Sequence, residues 1–240
     1  MIVTLAQTSP KLNRSNLEDA VAIINAVKQN SDLIVFPELS LSGYLLQDKL
    51  FEDAWSLEEL EVFESLSQNI DIVVGAALRD ENVFRNAALY YSNGKLLSTH
   101  IKVHLPNYGM FEEARYFEGG NKFESFKAHN QTIAMLICED LWHKSVHQEL
   151  HKLNPDVIIV LVASPARGFN DKSLEIQDKW YKIITDVAKE CNAQLLFVNR
   201  VGFEDGLGFW GGSCIVDTEG KISHRLPLFK KDIQTFTIEE

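Results

Sequence analysis

Cys138 ends a short apolar run, residues 132–137, and is followed at once by Glu139 and Asp140. So short a run after the turn signal His129-Asn130 reads as a buried strand that hands over to a loop. Strand ends in layered α/β proteins hold reactive side chains rigidly within reach of substrate. A thiol there attacks a carbonyl carbon once its proton can leave, and a nearby ammonium favours the thiolate. Three further groups could supply the rest of that chemistry. Glu38 follows an apolar strand and Pro37, Lys102 ends another strand, and Glu113 lies in a long irregular stretch. A carboxylate can accept the thiol proton and return it to a leaving amine. An ammonium, helped by the backbone N–H just after the nucleophile, stabilises the tetrahedral oxyanion. A second carboxylate can hold the lysine. If the strands starting near Leu33, Leu96 and Thr132 end on one side of a sheet, Glu38, Lys102 and Cys138 converge there.

Each residue also has a plainer reading. A lone buried cysteine is often a packing thiol, and Cys191 and Cys214 are read that way. Glu38 alone is a surface or cap acid, Lys102 alone a solvated strand end, and Glu112 could stand in for Glu113. His143, His147 and His151 share one helix face, but no His-Glu-x-x-His motif exists. A polar helix face outranks zinc binding, and no metal or other cofactor is expected. Gly206, Gly208, Gly211 and Gly212 lack the strand-to-helix context of a nucleotide loop and suit a tight turn near the site.

The elements that must position these groups alternate along the chain. Strands are expected at residues 2–6, 33–36, 70–78, 83–91, 95–102, 123–128, 131–137, 157–162, 195–198, 214–216, 221–226 and 233–238. Ser15-Asn16-Leu17-Glu18 and Ser56-Leu57-Glu58-Glu59 fit capping boxes. They open helices carrying Leu17, Val21, Ile24 and Val27, and running on to about Gln68. Further helices are expected over residues 144–153 and 173–191, the latter with Ile176, Ile183, Ile184 and Val187 on one side. Such a mixture predicts helices covering a sheet or a pair of sheets. Residues 103–122 form a long loop, which in a compact domain is usually functional.

Composition narrows the class. The 240 residues are 45% apolar, enough for a substantial core. A net charge of -11 argues against nucleic-acid or anionic-membrane partners. No apolar stretch approaches a membrane span, and the N-terminus has no signal-peptide pattern. Three cysteines without metal-like spacing point to a reduced, cytoplasmic protein.

Taken together, these residues resemble the nitrilase, or carbon-nitrogen hydrolase, superfamily. Its Glu-Lys-Cys triad matches Phe36-Pro37-Glu38-Leu39, Lys102-Val103-His104-Leu105-Pro106 and Cys138-Glu139-Asp140. Its second glutamate, before an Arg-Tyr-Phe, matches Glu113. The similarity runs from Leu5-Ala6-Gln7 to Trp210-Gly211-Gly212-Ser213. It implies an α/β, four-layer α-β-β-α sandwich in one domain over residues 1–240, acyl-enzyme catalysis without metal, and a homodimer or higher homo-oligomer. Leu105-Pro106-Asn107-Tyr108-Gly109-Met110-Phe111 and Ile137-Cys138-Glu139-Asp140-Leu141-Trp142 look like the glutaminase domain of glutamine-dependent NAD synthetase. By that resemblance Tyr108, Glu139 and Ser164 line the substrate pocket.

The chain also departs from that pattern. Asn199-Arg200-Val201-Gly202 with Glu204-Asp205-Gly206 looks more like stand-alone amidases, and an ATP-binding synthetase domain with its Ser-Gly-Gly-x-Asp-Ser run is not expected within these residues. The expectation is therefore a cytoplasmic amidase acting on a small amide or carbamoyl compound. Its alternatives are a glutaminase subunit feeding ammonia to a separate synthetase, such as NAD synthetase, and a binding protein that keeps the pocket. A glutamine pocket needs an acid for the α-ammonium and a cation for the α-carboxylate. Glu139 could serve the first, and Arg167, three residues after Ser164, is the nearest cation for the second. An oligomer contact on the helix over residues 173–191 would use residues off its apolar face, with Trp180 and Tyr181 as candidates.

Overall fold

Two uninterrupted apolar runs, β2 (Leu33–Val35) and β8 (Val157–Val162), are buried at every position, as strands covered on both faces must be. They lie in two different sheets rather than one. The computed structural model describes residues 1–170 and 174–238. The first sheet has the order β14 (Asp232–Thr237), β1 (Ile2–Gln7), β2, β3 (Asp71–Asp80), β4 (Val83–Ser92), β5 (Lys95–Ile101). The second has the order β13 (Ile222–Arg225), β12 (Cys214–Val216), β9 (Gln194–Asn199), β8, β7 (Gln131–Ile137), β6 (Ser125–Ala128). Each sheet has a parallel centre, β1-β2-β3 and β7-β8-β9, with antiparallel flanks.

The sheets share an apolar layer in which Val3, Leu33 and Val73 meet Ile133, Ile159 and Leu196. On the outer side of the first sheet, α1 (Asn16–Val27) and α3 (Val62–Leu66) contribute Ala20, Ile24 and Phe63; between them α2 (Leu50–Asp53) is one turn. On the outer side of the second, α4 (Lys144–Leu153) and α5 (Glu175–Cys191) contribute Val146, Leu150, Ile184 and Val187. The layer order is α-β-β-α, as expected. It brings the C-terminal ends of β2, β5, β7, β8 and β9 to one region of the molecule. No helix among the described residues is long and apolar enough to cross a membrane.

Several local expectations change. Ser15 does not cap α1: its hydroxyl donates to Asn13 Oδ1 at 2.6 Å, and its own backbone is already helical. A nearer acceptor has taken the side chain that the box required. The second box does form, with Ser56 N–H donating to Glu59 Oε2 and Glu59 N–H to Ser56 Oγ. The helix expected there is split into the 3-10 turn Glu58–Leu60 and α3. α5 begins at Glu175; Ser173, its expected start, lies outside the described residues. Trp180 cannot serve as an oligomer contact. It stands in line with Ile176, Ile184 and Val187 on the helix and is buried with them against the second sheet. Tyr181 is half-buried, with its hydroxyl donating to the Gly212 carbonyl. A hairpin, β10 (Val201–Glu204) and β11 (Leu207–Trp210), was not expected. Its signal was Asp205-Gly206, a two-residue turn in which both residues take positive φ.

Candidate active site

Cys138 is the first residue after β7 and opens the 3-10 turn Cys138–Trp142. Its φ of 44° lies in the left-handed region, where a non-glycine residue costs on the order of 1 kcal/mol or more. The neighbouring Asp140 holds that turn. Its wholly buried carboxylate accepts hydrogen bonds from Ile137 N–H at 3.1 Å, Val103 N–H at 3.0 Å, His104 N–H at 2.8 Å and His100 Nε2 at 2.9 Å. The turn after β7 is thereby tied to the end of β5, one residue from Lys102. Burial alone would raise the Asp140 pKa, but the His100 hydrogen bond and charge and the His104 N–H outweigh it and hold it below the usual range.

Lys102 is fully buried between two carboxylates. Its Nζ lies 2.7 Å from Glu38 Oε1 and donates to Glu113 Oε1 at 2.8 Å. Glu38 also accepts from Asn86 Nδ2 and from the Ala163 N–H at the end of β8, both at 2.8 Å. Glu113 also accepts the Tyr44 hydroxyl at 2.6 Å. Burial would strip the lysine of its proton, but Glu113 and Glu38 more than offset it, so Lys102 stays an ammonium. Burial, with Glu38 adding to it and Lys102 opposing it, raises Glu113 to about 7.

The thiol behaves differently from the sequence expectation. Burial and the Glu38 charge push the Cys138 pKa well up, and the pull of Lys102 does not reverse them. Cys138 therefore rests as a thiol, and its proton must leave during attack. Burial also raises Cys214 out of the reactive range, and Cys191 to about 11. Both are buried against the second sheet, as packing thiols are.

A cavity of ≈ 310 Å³ opens over Cys138 and includes Tyr108, Glu139, Ser164 and Arg167 in its wall. All four expected pocket residues meet there, while Glu38, Lys102 and Glu113 are not in that wall and act on the thiol through their charges. The Tyr108 hydroxyl donates to Glu139 Oε2 at 2.9 Å; burial and that hydrogen bond push its pKa up to about 12. Arg167 lies 5.1 Å from the Phe111 ring centroid, a cation–π distance. Ser164 is buried, with its Oγ accepting from Trp180 Nε1.

Sequence reasoning overlooked Asn86, Tyr44 and the positioning part of Asp140. Asp140 was visible as the third residue of Cys-Glu-Asp, but its partners come from two sheets. The three-histidine face does not converge: His147 Nε2 donates to the Leu141 carbonyl, while the His143 ring stacks on His104 with centroids 3.7 Å apart. Among the described residues no group of three His, Cys, Asp or Glu side chains is placed to hold a metal ion.

A four-layer sandwich with a cysteine and an acid-bridged lysine at its strand ends has the nitrilase architecture. The carbon-nitrogen hydrolase family model matches residues 2–240, and the chain belongs to that family. It is 34% identical over 248 residues to glutamine-dependent NAD(+) synthetase of Acinetobacter baylyi, an alignment covering 99% of this chain and 44% of that protein. It superposes with a TM-score of 0.85 and 31% identity on glutamine-dependent NAD+ synthetase from Acinetobacter baumannii in complex with ADP, covering 98% of this chain and 44% of that one. An amidase from Nesterenkonia sp. shares the fold at a TM-score of 0.81 with 20% identity, covering 98% of this chain and 89% of that one. The chain thus spans less than half the length of the synthetases it matches.

Proposed function

We propose that this hydrolase cleaves the C–N bond of a small primary amide through a thioester on Cys138. The observation that carries the proposal is the buried Lys102, bridged between Glu38 and Glu113 and coupled through its charge to a thiol that forms part of a cavity wall. A buried ion pair is weak evidence for stability, since desolvation offsets most of its attraction. One whose charges act on a reactive thiol suits catalysis better.

Glu38 accepts the Cys138 proton as the sulfur attacks the carbonyl carbon. The developing oxyanion is met by the Lys102 ammonium and the Glu139 backbone N–H. Collapse breaks the C–N bond, and the leaving nitrogen takes the proton from Glu38 to depart as ammonia. A water molecule then gives its proton to Glu38 and attacks the thioester, releasing the acid while the proton returns to sulfur. Glu113 keeps the ammonium aimed at the oxyanion. A cytoplasmic location fits a working free thiol.

For the substrate, the glutaminase alternative gains weight over an amidase for other small amides. The cavity wall offers a carboxylate, Glu139, and a cation, Arg167, suited to the ammonium and carboxylate of an amino-acid amide. The two synthetase relatives, both named for glutamine, support the same reading. A partner that consumes the ammonia would then be a synthetase. The test is ammonia release from glutamine beside other small amides and carbamoyl compounds. Glutamine should be turned over fastest. Preference for another amide restores the amidase reading, and no release from any member by folded protein leaves a binding protein.

A further inference from the structure

A second buried ion pair lies outside the machinery described so far. Arg200, immediately after β9, and Glu204, the last residue of β10, are both buried and joined through Arg200 Nη1 and Glu204 Oε2. Arg200 also donates to the Pro10 carbonyl at 2.9 Å and stacks 4.1 Å over the Phe209 ring. The other oxygen of Glu204 accepts two backbone N–H groups, from Tyr44 at 2.7 Å and Leu45 at 2.6 Å. That segment is irregular, so the carboxylate takes the place a strand partner would fill. Access depends on Gly43: its φ is 84°, and a Cβ there would lie 2.8 Å from the Lys11 carbonyl oxygen and 3.1 Å from Glu204 Oε2.

What the clamp holds is Tyr44. Its ring meets Phe209 and Phe111 edge-on, and its hydroxyl donates to Glu113 Oε1, the same oxygen that receives Lys102. The other oxygen of Glu113 lies 2.8 Å from Lys102 Nζ yet has no hydrogen-bond partner among the described residues. Among the described residues, Tyr44 thus gives the Glu113 carboxylate its one side-chain hydrogen bond besides that of the lysine.

We propose that Tyr44 and Glu204 are positioning residues for the reaction: Glu204, locked by Arg200, fixes the Tyr44 backbone, and Tyr44 fixes Glu113 against Lys102. The inference rests on the reading of Glu113 as part of the catalytic group. The β10-β11 hairpin thereby reaches the reacting atoms without touching them. Tyr44 resists ionisation, because burial and the Glu113 charge push its pKa well up, so it remains a donor at any working pH.

Tyr44→Phe removes one oxygen and keeps the ring in place. Glu204→Gln removes the charge that locks Arg200. Both should lower kcat by about tenfold with KM within about twofold, and the double variant should be no slower than the worse single. Both should also move the acidic limb of the pH–kcat profile up by roughly half to one pH unit, since a Glu113 carboxylate without its donor binds its proton more tightly. Phe203→Ala, an exposed change on the same hairpin, should alter neither. Should Glu204→Gln not fold, Glu204→Asp, which keeps the charge but shortens the reach, serves the same arm. Profiles that superpose on wild type, or losses that add fully, overturn the positioning role. Cys138→Ala and Glu113→Gln run alongside: if they retain turnover, the catalytic reading itself fails, whatever Tyr44→Phe does.

Discussion

Asp140 and His100 join the two sheets through one 2.9 Å contact between buried side chains. His100 is on β5, in the sheet that delivers Lys102, and Asp140 is in the turn that delivers Cys138. Nucleophile and lysine are therefore registered to each other across a boundary that apolar packing alone would leave free to slide.

Asp140→Ala orphans two backbone N–H groups after β5, one at Ile137, and His100. We expect a stability loss on the order of 3 kcal/mol and near-complete loss of turnover. Asp140→Asn should lose less. The folded pKa of Asp140 is depressed, so the stability it contributes is fully present above the ordinary aspartate value of about 3.9. It is lost as pH falls through the lower folded value. Thermal melts of wild type and Asp140→Asn between neutral and acid pH measure this. A melting point that declines equally steeply in both proteins rejects the assignment.

Cys138→Ala should lose turnover on the order of a thousandfold or more, because no thioester can form. Cys191→Ala and Cys214→Ala should keep most of it, with modest losses of stability from small cavities. Steady-state rates and melting points for the three decide. Equal losses of rate across them point to a structural cause.

Turnover should fall as pH drops through about 7, where Glu113 gains a proton and Lys102 loses one of its two counter-charges. Glu113→Gln should be slow at every pH and lack that limb. A wild-type limb near the ordinary glutamate range, well below 7, would place the titrating group elsewhere.

Arg167→Ala should raise KM for glutamine by about tenfold or more with kcat little changed, as the loss of uniform substrate binding requires. Amides without a carboxylate should be unaffected. Kinetics on glutamine and an uncharged amide make the comparison, and equal changes on both would remove Arg167 from carboxylate recognition.

We expect at least a homodimer in solution, measured by light scattering at micromolar concentration. The contact must avoid Trp180, which is in the core. A monomer mass at that concentration rejects the expectation.

Much was legible in the sequence because it is local. The full burial of β8 follows from its unbroken run of Val, Ile and Leu, and α4 from a polar stretch ended by Asn154-Pro155. Glu38, Lys102 and Cys138 each announced themselves at a strand end. Their convergence was expected only if their strands ended on one side of a sheet, and the structure builds it from strand ends of two sheets. That pairing depends on which apolar faces find each other, as Val3 and Leu33 find Ile133 and Leu196, and no local pattern encodes the choice. The same limit hid the resting state of the thiol. A lysine nearby argues for thiolate on paper, yet desolvation by the surrounding layers and the Glu38 charge decide for the thiol, and burial exists only once the layers close. It also hid the roles of Asp140, Tyr44 and Glu204. Their residue types are ordinary; their partners lie 40, 69 and 160 positions away along the chain, brought within hydrogen-bond reach only by the tertiary fold.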